Sequence, residues 1–389
     1  MTTYLEAAID SFALLYERWN HGKDFDGYTF WFAGNILHGA VDYFAVKQDL
    51  GVPDYKVAET FVLEALNAFD RIVKEPDPLR WADTGFWLDD FGWWGVAFAR
   101  AFIRLNLDDD LKDRVKKYAK NCWICNHNGW DDSNVGPNIP IPGGIPNTKK
   151  DEILAGKNCV TNSLFWLLSL MLHSADKDPN APKYLDPKTN SSVWYQQAIS
   201  QRLLFSDENL VRERFRDAPN YVDWPWLGDQ GLFLQCCNLE GPDSHLPSAQ
   251  QLANAVQAHR VLQSGVLSEG LFPIPKDGPN KTVYWLAYAT GKGIFMRNLQ
   301  ILNSSLAPPG MTPYAGWIRA NATAVWNNRL ENNMFRFYWD KELPEPDPSD
   351  WRYKPDSIPP LVLHASGMSA LTAAASLFPK DEIPLSNNS

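Results

Sequence analysis

Two adjacent aspartates, Asp89 and Asp90, lie in the aromatic-rich stretch Thr84-Gly-Phe-Trp-Leu-Asp-Asp-Phe-Gly-Trp-Trp-Gly95. A buried ionised carboxylate is unfavourable unless a metal, a cation or a shared proton compensates its charge. The pair could instead cap a helix, since aspartates at a helix start accept hydrogen bonds from free backbone N–H groups. Helix caps usually lie in polar loops, so the flanking tryptophans favour a functional site.

Other polar residues also interrupt apolar segments of the chain. Lys292 follows Gly291 at the start of such a segment, and a buried ammonium group needs a partner or loses its proton. We therefore interpret Lys292 as functional. His38 is more simply explained as a hydrogen-bonded core histidine, and Asn158 and Asn162 could bond between helices.

Helices must position these side chains, because apolar residues recur at helical spacing and no long strand pattern occurs. Some segments carry their apolar residues on one face, whereas others are apolar on nearly all sides, which is typical of buried helices. The one-faced segments are Leu5 to Trp19, Val52 to Val73, Leu111 to Asn126, Ser192 to Phe205, Pro247 to Leu262 and Ala315 to Phe337. The buried segments are Phe30 to Val46, Trp87 to Leu105, Cys159 to Leu172, Leu227 to Asn238, Ala289 to Leu302 and Ala365 to Phe378.

Each one-faced helix pairs with the buried helix that follows it in the chain. Closing six such hairpins gives an all-α (α/α)6 barrel, with residues 1–389 as a single domain. The starts of the inner helices would then meet at one mouth, where helix N-termini favour an anion. The polar residues near these starts are Asn35, His38, Asp89, Asp90, Lys157, Asn158, Asn162, Asp229, Gln230, Lys292 and Arg297.

Composition excludes several classes of partner. The net charge of −10 argues against nucleic acid or an anionic membrane, since both bind basic surfaces. No apolar run is long enough to span a membrane, and the first residues lack the pattern of a signal peptide, so we expect a cytoplasmic protein. Five cysteines, an odd number, favour reduced thiols over a disulfide framework.

Four blocks of the sequence resemble glycoside hydrolase family 76, the endo-α-1,6-mannanases. In chain order they are Asp89-Asp-Phe-Gly-Trp-Trp94, Lys157-Asn-Cys-Val-Thr-Asn162, Gly228-Asp-Gln-Gly231 and Gly291-Lys-Gly-Ile-Phe-Met-Arg297. The resemblance implies an (α/α)6 barrel in which Asp89 and Asp90 act as nucleophile and acid/base of a retaining mechanism. Gly143-Gly-Ile-Pro-Asn147 stands where that family usually has Gly-Gly-Ile-Trp-Trp.

The acid pair, Lys292 and the aromatic residues also resemble the non-canonical fungal humulene synthases, sesquiterpene cyclases on a related barrel. That resemblance implies Mg²⁺ and an essential lysine, with farnesyl diphosphate, an isoprenyl diphosphate, as the small-molecule substrate. It would place Mg²⁺ on Asp89, Asp90, Asn158, Asn162 and Asp229. The substrate would contact Lys292, Arg297, Lys157, Asn35, His38, Trp31, Trp87, Trp93, Trp94, Trp226 and Trp285.

Lys292, the altered Gly143 block and the missing signal pattern favour the cyclase hypothesis. We therefore predict a terpene synthase that ionises farnesyl diphosphate with Mg²⁺, closes the ring and releases humulene by deprotonation. The aromatic faces would stabilise the carbocation. Two alternatives remain open: a family 76-like endo-α-1,6-mannanase, and a sugar-binding barrel without catalytic activity.

Overall fold

Helices form nearly all of the regular structure in the computed structural model, which describes residues 2–20, 30–148, 156–218, 225–241, 246–269, 290–306, 312–340 and 360–384. The first helices are α1 (Tyr4–Trp19), α2 (Phe30–Asp49), α3 (Tyr55–Val73), α4 (Leu88–Arg104), α5 (Asp109–Asn128) and α6 (Cys159–Ala175). They are followed by α7 (Ser191–Ser200), α8 (Leu227–Glu240), α9 (Ala249–His259), α10 (Gly291–Leu306), α11 (Ala315–Asn327) and α12 (Pro360–Leu377).

The alternation of one-faced and buried helices is confirmed. Along α1, the buried residues Ala8, Phe12, Leu15 and Trp19 recur at helical spacing, so one face of this helix is covered. In α6, by contrast, every residue from 159 to 169 is buried. Helices with one wet face therefore alternate with helices enclosed on all sides, as the hydrophobic pattern predicted.

Short polar side chains fix the starts of several helices. Asp108 Oδ1 accepts a hydrogen bond from Leu111 N at 2.8 Å, and Asn158 Oδ1 accepts one from Thr161 N at 3.1 Å. These contacts satisfy backbone N–H groups that have no partner within the helix. The polar residues Asp108 and Asn158 therefore fix the starts of α5 and α6.

The described residues fall into two compact units. One comprises Met1–Trp19, Trp224–Gln235 and Ala249–Ser389, and in it α12 packs against α1, α10 and α11. The other comprises Asn20–Asp223 and Cys236–Ser248, and in it α4 packs against α2, α5 and α6. The single domain inferred from the sequence stays a prediction.

The connections differ from the predicted ones in three places. The stretch from 128 to 156 contains a small antiparallel hairpin, β1 (Asn134–Gly136) paired with β2 (Ile139–Pro142). Helix α7 ends at Ser200, before the predicted Phe205, and Arg202 just beyond it has a positive φ of 58°. Helix α11 ends ten residues before the predicted Phe337. The segment beyond α11 contains Asn333 at a φ of 61°, a left-handed conformation that asparagine tolerates in turns.

None of the helices in the described ranges is long and apolar enough to cross a bilayer.

Glycines allow the buried helices to touch through their main chains. A Cβ atom on Gly293 of α10 would lie 2.6 Å from the Cα atom of Ser366 in α12. Likewise, a Cβ atom on Gly231 of α8 would lie 2.8 Å from the Cα atom of Phe295 in α10. Such distances are too short for any side chain, so these positions accept only glycine without movement of a helix.

Gly293→Ala is expected to lower the free energy of unfolding by about 1–3 kcal/mol, because the added methyl group must push two helix backbones apart. Gly316→Ala is the matched control, since nothing lies within 4 Å of the Cβ position at Gly316. There the same substitution should be neutral or slightly stabilising. Urea unfolding of both variants measures the difference, and equal midpoints would contradict the close main-chain contact.

Candidate active site

The acid pair lies in the first turn of α4. Asp90 Oδ2 accepts a hydrogen bond from the backbone N–H of Trp87 at 2.8 Å, so Asp90 does cap the helix. Asp89 Oδ1 is buried and has no hydrogen-bond partner among the described residues. The start of α4 is fixed from outside as well, because Leu88 N donates to Asn147 O at 2.8 Å. Capping therefore explains Asp90, whereas Asp89 keeps one buried carboxyl oxygen without a partner.

Both carboxyl groups favour the protonated state, although each residue keeps part of its surface in solvent. Burial, together with a smaller effect of the Glu213 charge, raises the pKa of Asp89 to about 7, and backbone N–H groups and Arg214 oppose this rise. Burial and then the charge of Asp89 raise the pKa of Asp90 well above its ordinary value, against the hydrogen bond from Trp87. The pair can thus hold a proton near neutral pH, as an acid/base catalyst requires.

Glu213 and Arg214 also belong to this site, and the sequence reasoning missed both. Arg214 is 6% exposed, and its charge acts on Asp89 and on Glu213. Burial raises the pKa of the Glu213 carboxyl, and Arg214 opposes that rise. The two residues lie in an irregular segment after α7, where consecutive charged residues in the sequence look like a solvated loop. No periodic signal could have found them.

Three polar residues at the start of α6 that were predicted to bind metal or substrate make hydrogen bonds to backbone atoms instead. Asn162 Oδ1 accepts from Ile145 N at 2.9 Å, and its Nδ2 donates to Ile145 O and Asn158 O, each at 2.9 Å. Asn158 caps the helix, as described above. Lys157 Nζ donates to the backbone oxygens of Asp131 and Ser133. These side chains therefore hold the loop before α6 against the helix start.

The tryptophans that were predicted to contact the substrate lie partly in the core and partly at the surface. Trp94 is fully buried and donates from Nε1 to Phe30 O at 2.9 Å, and Trp93 is 2% exposed. Trp31 is partly exposed, with its ring centre 5.6 Å from that of Trp93. Trp87, directly before the acid pair, is 36% exposed. Trp87 is thus the predicted aromatic residue that combines exposure with proximity to the acids; Trp285 lies outside the described residues.

Two residues of α2 that were predicted to contact the substrate are buried. Asn35 is 7% exposed and His38 3% exposed. His38 Nε2 lies 3.7 Å from Asp42 Oδ2, and Arg100 Nε lies 2.8 Å from Asp42 Oδ1. The histidine therefore lies beside a buried ion pair of Asp42 and Arg100, and its contact with a substrate stays a prediction.

The remaining predicted residues belong to the other unit and are described separately. Lys292 is 1% exposed and donates from Nζ to Phe337 O at 2.6 Å. Its ammonium group also lies 4.8 Å from the ring centre of Trp339. Asp229 and Arg297 are buried as well, at 0% and 5% exposure, and so is Trp226 at 3%. The charge of Lys292, which favoured the cyclase hypothesis, therefore interacts with a backbone carbonyl and with an aromatic ring.

Glu269 is a second buried acid that the sequence reasoning missed. Its Oε1 accepts from Leu227 N at 2.8 Å and so caps the start of α8. Burial raises the pKa of Glu269 to about 8, while that hydrogen bond, Lys292 and Arg260 oppose the rise. Glu269 lies in a segment predicted to be a loop, so its contact with a helix start could not be anticipated.

Stability is expected to fall as pH rises. An acid whose pKa is raised by folding binds its proton more tightly in the folded state, so its stabilising contribution is lost as pH rises through the folded-state pKa. For Asp89 the window runs from its ordinary value of 3.8 to about 7. Asp89→Asn should raise the free energy of unfolding at pH 8 by on the order of 2 kcal/mol, after allowance for partial exposure, and change little at pH 4.

The measurement is thermal unfolding of wild type and Asp89→Asn between pH 4 and 8. Asp109→Asn, at an exposed position in the first turn of α5, serves as control and should follow wild type throughout. A pH dependence that is identical in all three proteins would show that Asp89 is not destabilised by its surroundings.

No arrangement for a metal ion is evident in the parts of the chain that are described: no group of three or more His, Cys, Asp and Glu side chains is placed to hold one. The Mg²⁺ assignment came from the cyclase hypothesis and stays a prediction.

Comparison with known proteins identifies the fold. No family model matches the sequence, and no curated protein matches it significantly. Among solved structures, an α-1,6-mannanase from Salegentibacter sp. HEL1_6 matches 96% of this chain and 99% of its own, at 18% identity and a TM-score of 0.66. An inactive variant of that mannanase, in which two consecutive aspartates are replaced by asparagine, was solved with α-1,6-mannotriose.

Two further structures agree with this match. A family 76 glycoside hydrolase from a bovine Bacteroides thetaiotaomicron strain matches 97% of this chain and 78% of its own, at 14% identity and a TM-score of 0.66. Dfg5 from Chaetomium thermophilum, solved with glucosamine, matches 99% and 93%, at 16% identity and a TM-score of 0.67.

These matches correct the functional hypothesis. The structures named above include α-1,6-mannanase and other glycoside hydrolase structures, so the prediction of a terpene synthase that makes humulene from farnesyl diphosphate is wrong. Lys292, on which that prediction mainly rested, is buried against Phe337 O. The all-α prediction is confirmed, because the chain shares the (α/α)6-barrel fold of glycoside hydrolase family 76 structures.

Proposed function

We propose that the protein is a glycoside hydrolase that cleaves α-1,6-linked mannan, with Asp89 and Asp90 as its catalytic acids. One observation carries the proposal: an adjacent aspartate pair with raised pKa values lies at a helix start, in a fold whose α-1,6-mannanase representative is inactive when two consecutive aspartates are replaced. The proposal corresponds to the first alternative drawn from the sequence, a family 76-like endo-α-1,6-mannanase.

Other consecutive aspartates in the chain do not fit the role. Asp108, Asp109 and Asp110 are exposed at the start of α5, where Asp108 caps the helix. Asp131 and Asp132 lie before β1. Burial acts to raise the pKa of Asp131, but hydrogen bonds from Ser133 and the charge of Lys157 outweigh it and lower that pKa. Asp131 would therefore not hold a proton at neutral pH, as an acid catalyst must.

The surroundings of the two acids support different roles. Burial raises the pKa of both acids, but backbone N–H groups and Arg214 oppose the rise at Asp89, which suits a nucleophile that attacks the anomeric carbon in its ionised form. The charge of Asp89 favours the protonated form of Asp90, which suits the acid that protonates the departing glycosidic oxygen. Asp90, now ionised, would then take a proton from water, whose oxygen displaces Asp89 from the sugar and releases the product with its original configuration.

Trp87 completes the site as a platform for a sugar ring. Its indole is 36% exposed directly before the acid pair, and its backbone N–H holds Asp90. Aromatic faces bind the apolar side of a pyranose ring. The substrate partner of the protein is therefore a carbohydrate in this proposal.

Hydrolysis of α-1,6-mannan tests the proposal directly. The purified protein should release reducing manno-oligosaccharides, and ¹H NMR of the first products should show the α-anomer. Activity should persist in EDTA, because the two carboxyl groups supply both the nucleophile and the proton. A protein that binds manno-oligosaccharides without cleaving them would support the sugar-binding alternative and contradict the hydrolase.

A further inference from the structure

The dipeptide Glu213-Arg214 is held in place by main-chain contacts. Cys159 N, at the start of α6, donates to Glu213 O at 2.7 Å. One residue earlier, Arg212 N donates to Leu204 O at 3.0 Å, which ties the segment to the residues after α7. These contacts fix the backbone from which the side chains of Glu213 and Arg214 extend.

Arg214 packs against a glycine that is itself tied to the start of α4. A Cβ atom on Gly156 would lie 1.8 Å from Arg214 Nη1, so the guanidinium group fills space that only glycine leaves. Gly156 O accepts from Asn147 N at 3.1 Å, and Asn147 O accepts from Leu88 N at 2.8 Å. Two backbone hydrogen bonds therefore connect the residue beside Arg214 with the residue before Asp89.

The charges around Asp89 oppose each other. Arg214 favours the ionised form of Asp89, whereas Glu213 disfavours it, and Asp90 is the neighbouring acid of the pair. A guanidinium group cannot lose its proton in a protein, so its charge persists even when buried. Arg214 Nη1 and Asp89 Oδ1 both lack a hydrogen-bond partner in the described ranges. The effect of Arg214 on Asp89 is therefore electrostatic in this structure.

We propose that Arg214 is a positioning residue for Asp89: its guanidinium group, wedged against Gly156 and thereby tied to the start of α4, places a permanent positive charge that favours the ionised Asp89 carboxylate needed for attack on the anomeric carbon. Glu213 has the opposite effect on Asp89, so the two neighbours together set the charge state of that carboxyl group. The catalytic consequence of this arrangement rests on the proposed hydrolase function, whereas the arrangement itself does not.

Titration of Asp89 tests the arrangement without any substrate. With ¹³C-labelled aspartate carboxyl groups, the Asp89 signal is identified by its loss in Asp89→Asn. Arg214→Gln is expected to raise the pKa of Asp89 above its present value of about 7, and Glu213→Gln to lower it. Arg216→Gln is the control, since Arg216 is exposed and pairs with Asp207, and it should leave the titration unchanged. A titration that is the same in all variants would overturn the proposal.

Kinetics on α-1,6-mannan test the consequence. Arg214→Gln should lower kcat about 100-fold with little change in KM, because a misplaced nucleophile affects the chemical step more than binding. Arg214→Lys should recover part of the loss, and Gly156→Ala should lower kcat while keeping the charge. These two variants carry the test if Arg214→Gln does not fold. Equal kcat in Arg214→Gln and Arg216→Gln would refute the role of Arg214, whereas an inactive wild type would refute the hydrolase function and leave the titration to decide the arrangement.

Discussion

Asp89→Asn and Asp90→Asn are each expected to abolish hydrolysis of α-1,6-mannan, with kcat reduced by at least about 10⁴-fold. Asparagine fills the same volume but cannot attack the anomeric carbon or donate a carboxyl proton. The fold should persist, since Asp89 Oδ1 has no hydrogen-bond partner to lose. Asp90→Asn keeps an oxygen that can accept from Trp87 N, so the cap of α4 should also be retained.

Two further measurements separate the roles of the acids. Azide should restore part of the turnover of Asp90→Asn on an activated mannoside, because that variant retains the nucleophile and lacks only the acid/base. Asp109→Asn, whose aspartate is exposed on α5, should match wild type in every assay. Full activity in either site variant would remove the acid pair from the mechanism and leave the fold without an assigned catalytic centre.

Lys292→Met is expected to lower the free energy of unfolding by about 2–4 kcal/mol. The buried ammonium group donates to Phe337 O and lies over the ring of Trp339, and charged hydrogen bonds and cation–π contacts are each of order 2 kcal/mol when desolvated. Methionine keeps the length of the side chain but leaves the carbonyl of Phe337 without its donor. Chemical denaturation at pH 7 provides the measurement.

Lys380→Met is the matched control, because Lys380 is exposed in the same unit. It should change the unfolding midpoint by less than about 0.5 kcal/mol. If both lysine variants unfold like wild type, the contacts of Lys292 contribute nothing measurable to the fold and its burial needs another explanation.

The hydrophobic pattern predicted the helices well because it reflects local physics. The starts of α2, α6 and α8 coincide with the predicted Phe30, Cys159 and Leu227. Helix ends were less predictable. Helix α11 stops at Asn327 although apolar residues continue to Phe337, since the residues beyond it pack as an irregular segment against other helices. Tertiary contacts decide such ends, and they leave no periodic trace in the sequence.

The candidate site was only partly predictable for the same reason. Asp89 and Asp90 were found because they contrast with their aromatic neighbours in the sequence. Glu213 and Arg214 reach them from an irregular segment more than a hundred residues away, which no local pattern indicates. Lys292 misled the functional prediction because burial alone cannot distinguish a catalytic ammonium group from one bound to a carbonyl such as Phe337 O.

The glycine contacts between buried helices bear on how far such a sequence can diverge. Where Gly293 meets Ser366, and where Gly231 meets Phe295, a helix touches its neighbour through main-chain atoms that every amino acid possesses. The spacing of these helices therefore depends on a few glycines and not on the identity of the larger side chains around them. A fold whose helix spacing is fixed in this way is compatible with the 14–18% identity between this chain and structures that share its fold.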